Sequence, residues 1–412
     1  MKDRFQSDPA TLDRYRCGAL GLHLDSFAGW LSEQGYPRQT GMQKLRLFAF
    51  LSRWLKQQKI PIQQLDEQRI DQFIQTQRTQ LRRQRQVRHA LIQLLHHLRR
   101  LRVVPEPPPP QAGSPADRLM HDYEQFLAQE RGLSQVTLDS YLPTVRRFLV
   151  HAFGTKALRL DQLEAGTIHR FILRDKSTFS PKRVQLTTSA LRSFFGFLYL
   201  RGQLTAPLAA SVPTVATWRL SELPQFLEPG QVQQVLQSCD RSNPCGRRDY
   251  AALLLLARLG LRAGELVHLC LEDINWSAGE VLVRGKSSRE DRLPLPPEVG
   301  RALATYLQKD RPVCSSRRVF IRMKAPYVGF STSVAICDIV RRALQRARLQ
   351  PGRKGAHLLR HSLATQMLRG GASLTQIGQI LRHQLPQTTE IYAKVDLATL
   401  RTIAQPWPGG AR

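Results

Sequence analysis

Apolar residues recur every three or four positions along much of the chain, with basic residues between them. Leu45, Phe48, Leu51 and Leu55 mark one such stripe, and Val145, Phe148, Leu149 and Phe153 another. This spacing predicts amphipathic helices, and their density before residue 210 predicts small bundles of four or five helices. The pattern stops at Pro105-Glu-Pro-Pro-Pro-Pro110 and the following Gln-Ala-Gly-Ser-Pro115, a run that cannot continue a helix and makes an extended spacer. It stops again through Pro207, Pro213, Pro224 and Pro229, where Glu228-Pro-Gly230 reads as the turn opening a new helix. Helices are then predicted over 229–238, 250–259, 331–347, 357–368 and 374–381, with Gly370-Gly371 ending one and Ser373 capping the next. Alternation in Glu280-Val-Leu-Val-Arg284 and Arg292-Leu-Pro-Leu-Pro296, around a polar turn, predicts a β-hairpin. The expected fold class is mainly α with a small β-sheet (α+β), divided as 1–104, a linker 105–115, 116–210, a linker 211–228, and 229–412.

The first two helical segments resemble each other. Ile62-Gln-Gln-Leu65 and Ile70-Asp-Gln-Phe73-Ile74 match Leu160-Asp-Gln-Leu163 and Ile168-His-Arg-Phe171-Ile172 at an offset of 98, and Phe50-Leu51 matches Phe148-Leu149 at the same offset. Ala90-Leu91 and Leu98 match Ala190-Leu191 and Leu198 at 100. A constant offset over separate stretches predicts a duplicated helical unit with one short insertion.

Charge changes the picture next. Against 32 Asp and Glu stand 61 Lys and Arg, a net charge of +29, which favours polyanionic partners and salt-sensitive binding. Arg82, Arg83, Arg85, Arg88, Arg99, Arg100 and Arg102 crowd one segment, as expected of a helix facing phosphates. The six cysteines lack a Cys-x-x-Cys pair or a neighbouring His at metal-ligand spacing, which fits free, mostly buried thiols in a reducing compartment. The amino terminus lacks the pattern of a secretory signal and no apolar run is long enough to span a bilayer, so a cytoplasmic, nucleoid-associated protein with no membrane contact is expected.

The candidate chemistry lies late in the chain. Gly260-Leu-Arg262-Ala-Gly-Glu265-Leu266, His357-Leu-Leu-Arg360-His361, Leu381-Arg382-His383 and Tyr392 supply what metal-free cleavage of a phosphodiester requires. Arg262 and Arg360 can each fork two hydrogen bonds onto phosphate oxygens, His357 and His383 can donate or accept at the same centre, and Tyr392 can attack phosphorus. His357 and Arg360, three apart on a predicted helix, are expected on one face near its amino terminus, with His361 behind them. Glu265 is expected to hold a catalytic cation. No paired carboxylates of a two-metal site and no Gly-x-x-x-x-Gly-Lys-Ser/Thr loop occur, so no metal and no cofactor is expected.

These motifs, with Lys286 on the hairpin turn, stand in the order found in the tyrosine recombinases, the phage integrase family, which the chain resembles over 225 to about 405 and, as that family's helical core-binding domain, over 116–210. Residues 1–104 add a further core-binding-like domain that a minimal member lacks. The resemblance implies a site-specific recombinase or integrase that cleaves double-stranded DNA through a 3′-phosphotyrosyl link to Tyr392. It implies use in integration or transposition of a mobile element, as a homotetramer on paired recombination sites, with partner recombinases as an option. It gives Lys286 the protonation of the leaving 5′-oxygen, with Lys324, Lys309 and Arg289 as rivals, and has His357 either share a proton with Tyr392 or bond a phosphate oxygen. It also implies that the tail after Tyr392, Val395 to Ala404, docks on a neighbouring subunit. A type IB topoisomerase-like nicking and rejoining activity and a catalytically silent architectural DNA-binding protein are the alternatives.

Overall fold

The computed structural model describes residues 5, 9–81, 86–107, 114–154, 157–215, 223–285 and 289–395. They fall into two compact units, one of residues 106–221 and one combining those before 106 with those after 221. Among the described residues, no helix is long and apolar enough to cross a membrane.

The first segment packs the helices Leu24–Glu33, Arg38–Gln57, Glu67–Thr76 and Val87–Arg100 around a core that includes Phe27, Phe48, Leu51, Phe73 and Leu94. The unit 106–221 packs Pro115–Gln125, Gln135–Phe153, Ala165–Thr178 and Pro181–Leu200 around Tyr123, Phe148, Phe171 and Phe194. Each buried aromatic ring contributes roughly 1.5–3 kcal/mol relative to its exposed state. The two segments repeat one arrangement at the offset read from the sequence. The single turns Ile62–Gln64 and Leu160–Gln162 precede the helices Glu67–Thr76 and Ala165–Thr178. Phe50 meets Phe73 edge-on with ring centroids 5.3 Å apart, and Phe148 meets Phe171 edge-on at 5.4 Å.

Local chemistry sets the helix starts. Ser114 and Asn243 accept from the backbone N–H of Asp117 and Gly246, each ahead of a proline whose missing N–H costs nothing there. Ser373 and Gln376 cap reciprocally.

In the segment after 222, the helix Pro244–Arg258 is buried from Ala251 to Ala257 and lies against the helices Pro297–Lys309 and Ala356–Arg369. It begins well before the predicted 250, because Asn243 and Pro244 provide a start the apolar run alone does not reveal. Later in the chain comes an antiparallel sheet in the order β1 (Ile274–Asn275), β2 (Glu280–Arg284), β3 (Glu290–Pro294), with β2 against the helix Ala263–His268. The third strand starts two residues before the predicted Arg292. Arg284 pairs across the ladder with Glu290 and binds its carboxylate at 3.1 Å, while Pro296 is already the residue preceding the next helix.

Three expectations need correction. Arg99 does not face a phosphate: its side chain is 4% exposed and forks onto Glu67 at 2.6 and 3.0 Å. Arg88 is likewise paired, with Asp71. Among the cysteines only Cys239 is buried, and Cys17 and Cys245 are exposed. Arg82, Arg83, Arg85 and the tail from 396 lie outside the described residues.

Candidate active site

Gly260 follows the helix Pro244–Arg258 with φ +59°, a left-handed conformation that glycine adopts without strain. A Cβ there would come within 2.7 Å of the Leu381 side chain, so glycine also permits close packing. Arg262 then takes extended backbone as the residue before the helix Ala263–His268. Glu265, one turn into that helix, accepts from the Arg262 backbone N–H at 2.8 Å and from its guanidinium at 2.7 Å. Opposite stands the helix Ala356–Arg369, carrying Arg360 and His361. The helix Leu374–Ile380 ends in the turn 381–383, and the 3₁₀ turn Glu390–Val395 brings in Tyr392.

The turn at 381–383 ties the two arginines together. Arg360 is 3% exposed and donates to the carbonyls of Gly260 and Leu381, while Arg262 donates to the Arg382 carbonyl at 3.2 Å. Arg382 adopts φ +56°, uncommon outside glycine, and its side chain binds Glu265 at 2.8 Å, both groups being almost fully buried. Glu265 therefore holds two arginines: burial raises its carboxyl, but the charge of Arg382 and the hydrogen bonds and charge of Arg262 together hold it below the usual range. Burial, with Arg262 and Arg382 nearby, lowers Arg360 to about 10.

Tyr392 is 1% exposed, and its hydroxyl lies 2.9 Å from His361 Nδ1. Burial pushes the phenol up to about 12, while Arg360 and Arg262 pull it back toward ionisation. The His383 ring stacks nearly parallel to Tyr392 at 6.4 Å between centroids and shares a 2.7 Å hydrogen bond from Nδ1 with Thr389. Burial, then neighbouring positive charges, lower both His361 and His383 to about 4. Of the two histidines on this helix, His361 rather than His357 meets the phenol. His357, three residues before Arg360 on the same helix, is exposed where Arg360 is buried, and its ring centroid lies 6.2 Å from that of His361. One turn further along the same face, His361 packs against Tyr392 with ring centroids 5.6 Å apart.

A cleft of about 420 Å³ opens beside this cluster, lined by Arg262, Arg289, Arg382, His383 and Gln379, with Asp291 the one acidic group among its described wall residues. Four polar cationic or imidazole groups around an open space suit an anion such as phosphate. Lys286 lies outside the described residues, though the flanking Gly285 and Arg289 line the cleft. Of the rivals to Lys286, Lys309 lines a different pocket and only Arg289 lines this one. Arg382 and Gln379 were not singled out from sequence; Arg382 sits inside the Leu-Arg-His motif, which was the available signal. Among the described residues no group of three or more His, Cys, Asp or Glu side chains could hold a metal ion.

Comparison with known proteins bears on the same regions. Residues 225–398 match the model of the phage integrase family, and residues 120–202 that of the phage integrase N-terminal SAM-like domain. The chain is 42% identical over 398 residues to y4rA of Sinorhizobium fredii, a protein assigned as an integrase/recombinase, covering 96% of each. It is 30% identical to the tyrosine recombinase XerD of Listeria innocua, over 69% of this chain and 96% of that one. A lambda integrase dimer bound to a COC′ core site is similar in fold, with a TM-score of 0.52 at 17% identity over 71% of this chain and 98% of that one.

Proposed function

The chain belongs to the phage integrase family and is a tyrosine recombinase, and on that premise we propose that it cleaves and rejoins double-stranded DNA at specific sites with Tyr392 as its nucleophile. The observation that carries the assignment of residues is the convergence of Arg262, Arg360, His383 and Tyr392, from separate segments, beside one cationic cleft. Arg262 and Arg360 clamp the non-bridging oxygens of the scissile phosphate and stabilise the charge that builds in the transition state. The Tyr392 oxygen bonds to phosphorus, the bond to the 5′-oxygen breaks, the phenolic proton passes to a neighbouring base, and Lys286 protonates the leaving oxygen. The 3′-phosphotyrosyl link conserves the bond energy, so the free 5′-hydroxyl of another strand reverses the step without ATP. His357 and His383 support the phosphate.

The helical segments 1–104 and 116–210 serve as DNA-binding domains ahead of the catalytic domain 229–412. Recombination proceeds in a homotetramer on paired sites in the nucleoid of the cytoplasm, for integration or transposition of a mobile element. Neither the topoisomerase-like nor the architectural alternative is favoured, since the relatives are integrases and recombinases.

Nicked duplexes drawn from the DNA flanking the gene test the assignment. After denaturation in detergent, the protein should carry a covalent DNA adduct that Tyr392→Phe lacks. Tight binding without any adduct would remove Tyr392 from the role.

A further inference from the structure

The helices Arg38–Gln57 and Val87–Arg100 and the loop 322–326 enclose a cleft of about 730 Å³, apart from the candidate active site. Lys44, Arg46, His89 and Arg322 line it, and none of its described lining residues is acidic. Elsewhere in the first segment arginines meet carboxylates, as Arg16 does with Asp25, Arg88 with Asp71 and Arg99 with Glu67. In the cleft the partners are neutral. Lys44 lies 4.9 Å over the Tyr36 ring and donates to Gln93 Oε1 at 2.8 Å, an oxygen that also accepts from the Tyr36 hydroxyl at 3.1 Å. The Gln93 amide nitrogen is 3.1 Å from His89 Nε2, and Arg46 donates to the Tyr15 hydroxyl.

The walls are fixed to each other next to this opening. The Tyr327 backbone N–H donates to the Gln34 carbonyl at 3.1 Å, and its ring packs on Gly35 so closely that a Cβ there would sit 1.9 Å from it. Burial lowers the pKa of Lys44, as expected of an ammonium held without a counter-charge. Cations gathered without carboxylates repel one another, and an oxyanion entering among them removes that cost and takes up their free N–H groups.

We propose that this cleft is a phosphate-binding site joining the first helical segment to the catalytic segment, filled by the backbone of DNA flanking the cleavage site or by a free phosphate compound. Resting on the recombinase reading, it adds a contact remote from the scissile phosphate. A backbone phosphate gripped from both walls would bind the first segment and the catalytic segment to the same duplex.

The full chain is compared with Arg322→Gln and with Lys44→Gln/Arg322→Gln. Arg322 is exposed, so its single variant guards against a folding effect of the half-buried Lys44. Binding is followed by anisotropy on a short labelled duplex spanning the cleavage site and on one longer by two helical turns each side, across a salt series. A flanking DNA contact predicts that the double variant loses about tenfold in affinity for the long duplex and about 1–2 units of salt slope. Short-duplex adduct formation should be unchanged. If DNA binding is unaffected but inorganic phosphate raises the thermal midpoint of the unaltered protein and not of the variants, the source is a free phosphate compound. Variants indistinguishable from the unaltered chain in both assays would overturn the proposal. A chain that never forms an adduct yet shows the long-duplex difference would fail the recombinase assignment and keep this one.

Discussion

The Tyr392 hydroxyl lies 2.9 Å from Nδ1 of His361, the residue next to the buried Arg360. With the imidazole lowered to about 4 and the phenol raised to about 12, the ring is neutral at pH 7 and the phenol keeps its proton. Tyr392 therefore rests protonated beside a neutral ring, and with its Nδ1 unprotonated that ring is placed to take the phenolic proton.

Removing the His361 ring should slow cleavage without abolishing DNA binding. His361→Ala is expected to reduce single-turnover adduct formation by roughly 10²-fold, the lower end for a positioned general base. His357→Ala should have a smaller effect on this proton transfer, because its ring lies beyond His361, with centroids 6.2 Å apart. Equal rates for His361→Ala and the unaltered protein would remove the ring from the chemistry.

Stability should fall in mild acid. His97, His361 and His383 are all lowered from 6.5 to about 4, principally by burial. Between those values the unfolded chain binds protons the folded one does not, so stability present above pH 6.5 is lost as pH falls toward 4. Each ring accounts for on the order of 2 kcal/mol after allowance for partial exposure. Urea midpoints measured from pH 7 to pH 4 should drop steadily, and His97→Gln should flatten part of the slope; a midpoint constant over that range contradicts the buried-neutral assignment.

Much of this arrangement is legible in the sequence, and its gaps have physical causes. Helices announce themselves through 3.6-residue periodicity and caps such as Ser373-x-x-Gln376, and Arg262, Arg360, His383 and Tyr392 stand in recognisable motifs. The 98-residue offset pointed to a repeat, which the matched Phe50–Phe73 and Phe148–Phe171 contacts display. The facing of His357 and His361 is a different matter, since four-residue spacing does not say which ring meets a tyrosine arriving from another element. Nothing in the sequence marks Arg382 as left-handed, and the burial of Arg99 depends on Glu67, 32 positions away. Glu290-Asp291 reads as turn because its polar side chains hide the ladder begun by Arg284.

The left-handed backbone of Arg382 separates two of its contributions. Arg382→Ala keeps the strain at φ +56° and loses the bond to Glu265, whereas Arg382→Gly loses the same bond and relieves the strain. Alanine should therefore be less stable than glycine by about 1 kcal/mol. Glu265→Gln removes the counter-charge of both arginines and should cost roughly 3–5 kcal/mol, as for a broken buried pair. Denaturant titrations that rank alanine at or above glycine would contradict the backbone assignment.

Gly35 offers a test independent of any catalytic role. At φ +76°, with the Tyr327 ring where a Cβ would project, Gly35→Ala combines strain with a clash. It should destabilise the chain by several kcal/mol, and Tyr327→Ala should recover part of that loss, an interaction of about 1–3 kcal/mol in a double-mutant cycle. Additive losses would mean that the clash is absorbed elsewhere.

Arg360→Lys isolates the geometric demand on the buried cation. The guanidinium spans two carbonyls, those of Gly260 and Leu381, which belong to the two turns carrying Arg262 and His383. An ammonium keeps the charge but is a point donor without the planar fork, so it cannot hold both turns at once. One carbonyl would lose its partner in a buried setting, at a cost of about 1–3 kcal/mol. Adduct formation should fall roughly 10²- to 10³-fold, comparable to losing one preorganised donor to a developing anion. Binding to duplex DNA should change little, because the net charge is kept and Arg360 is only 3% exposed. If Arg360→Lys cleaves at the normal rate, charge alone suffices at this position and the bridging of the two turns is structural.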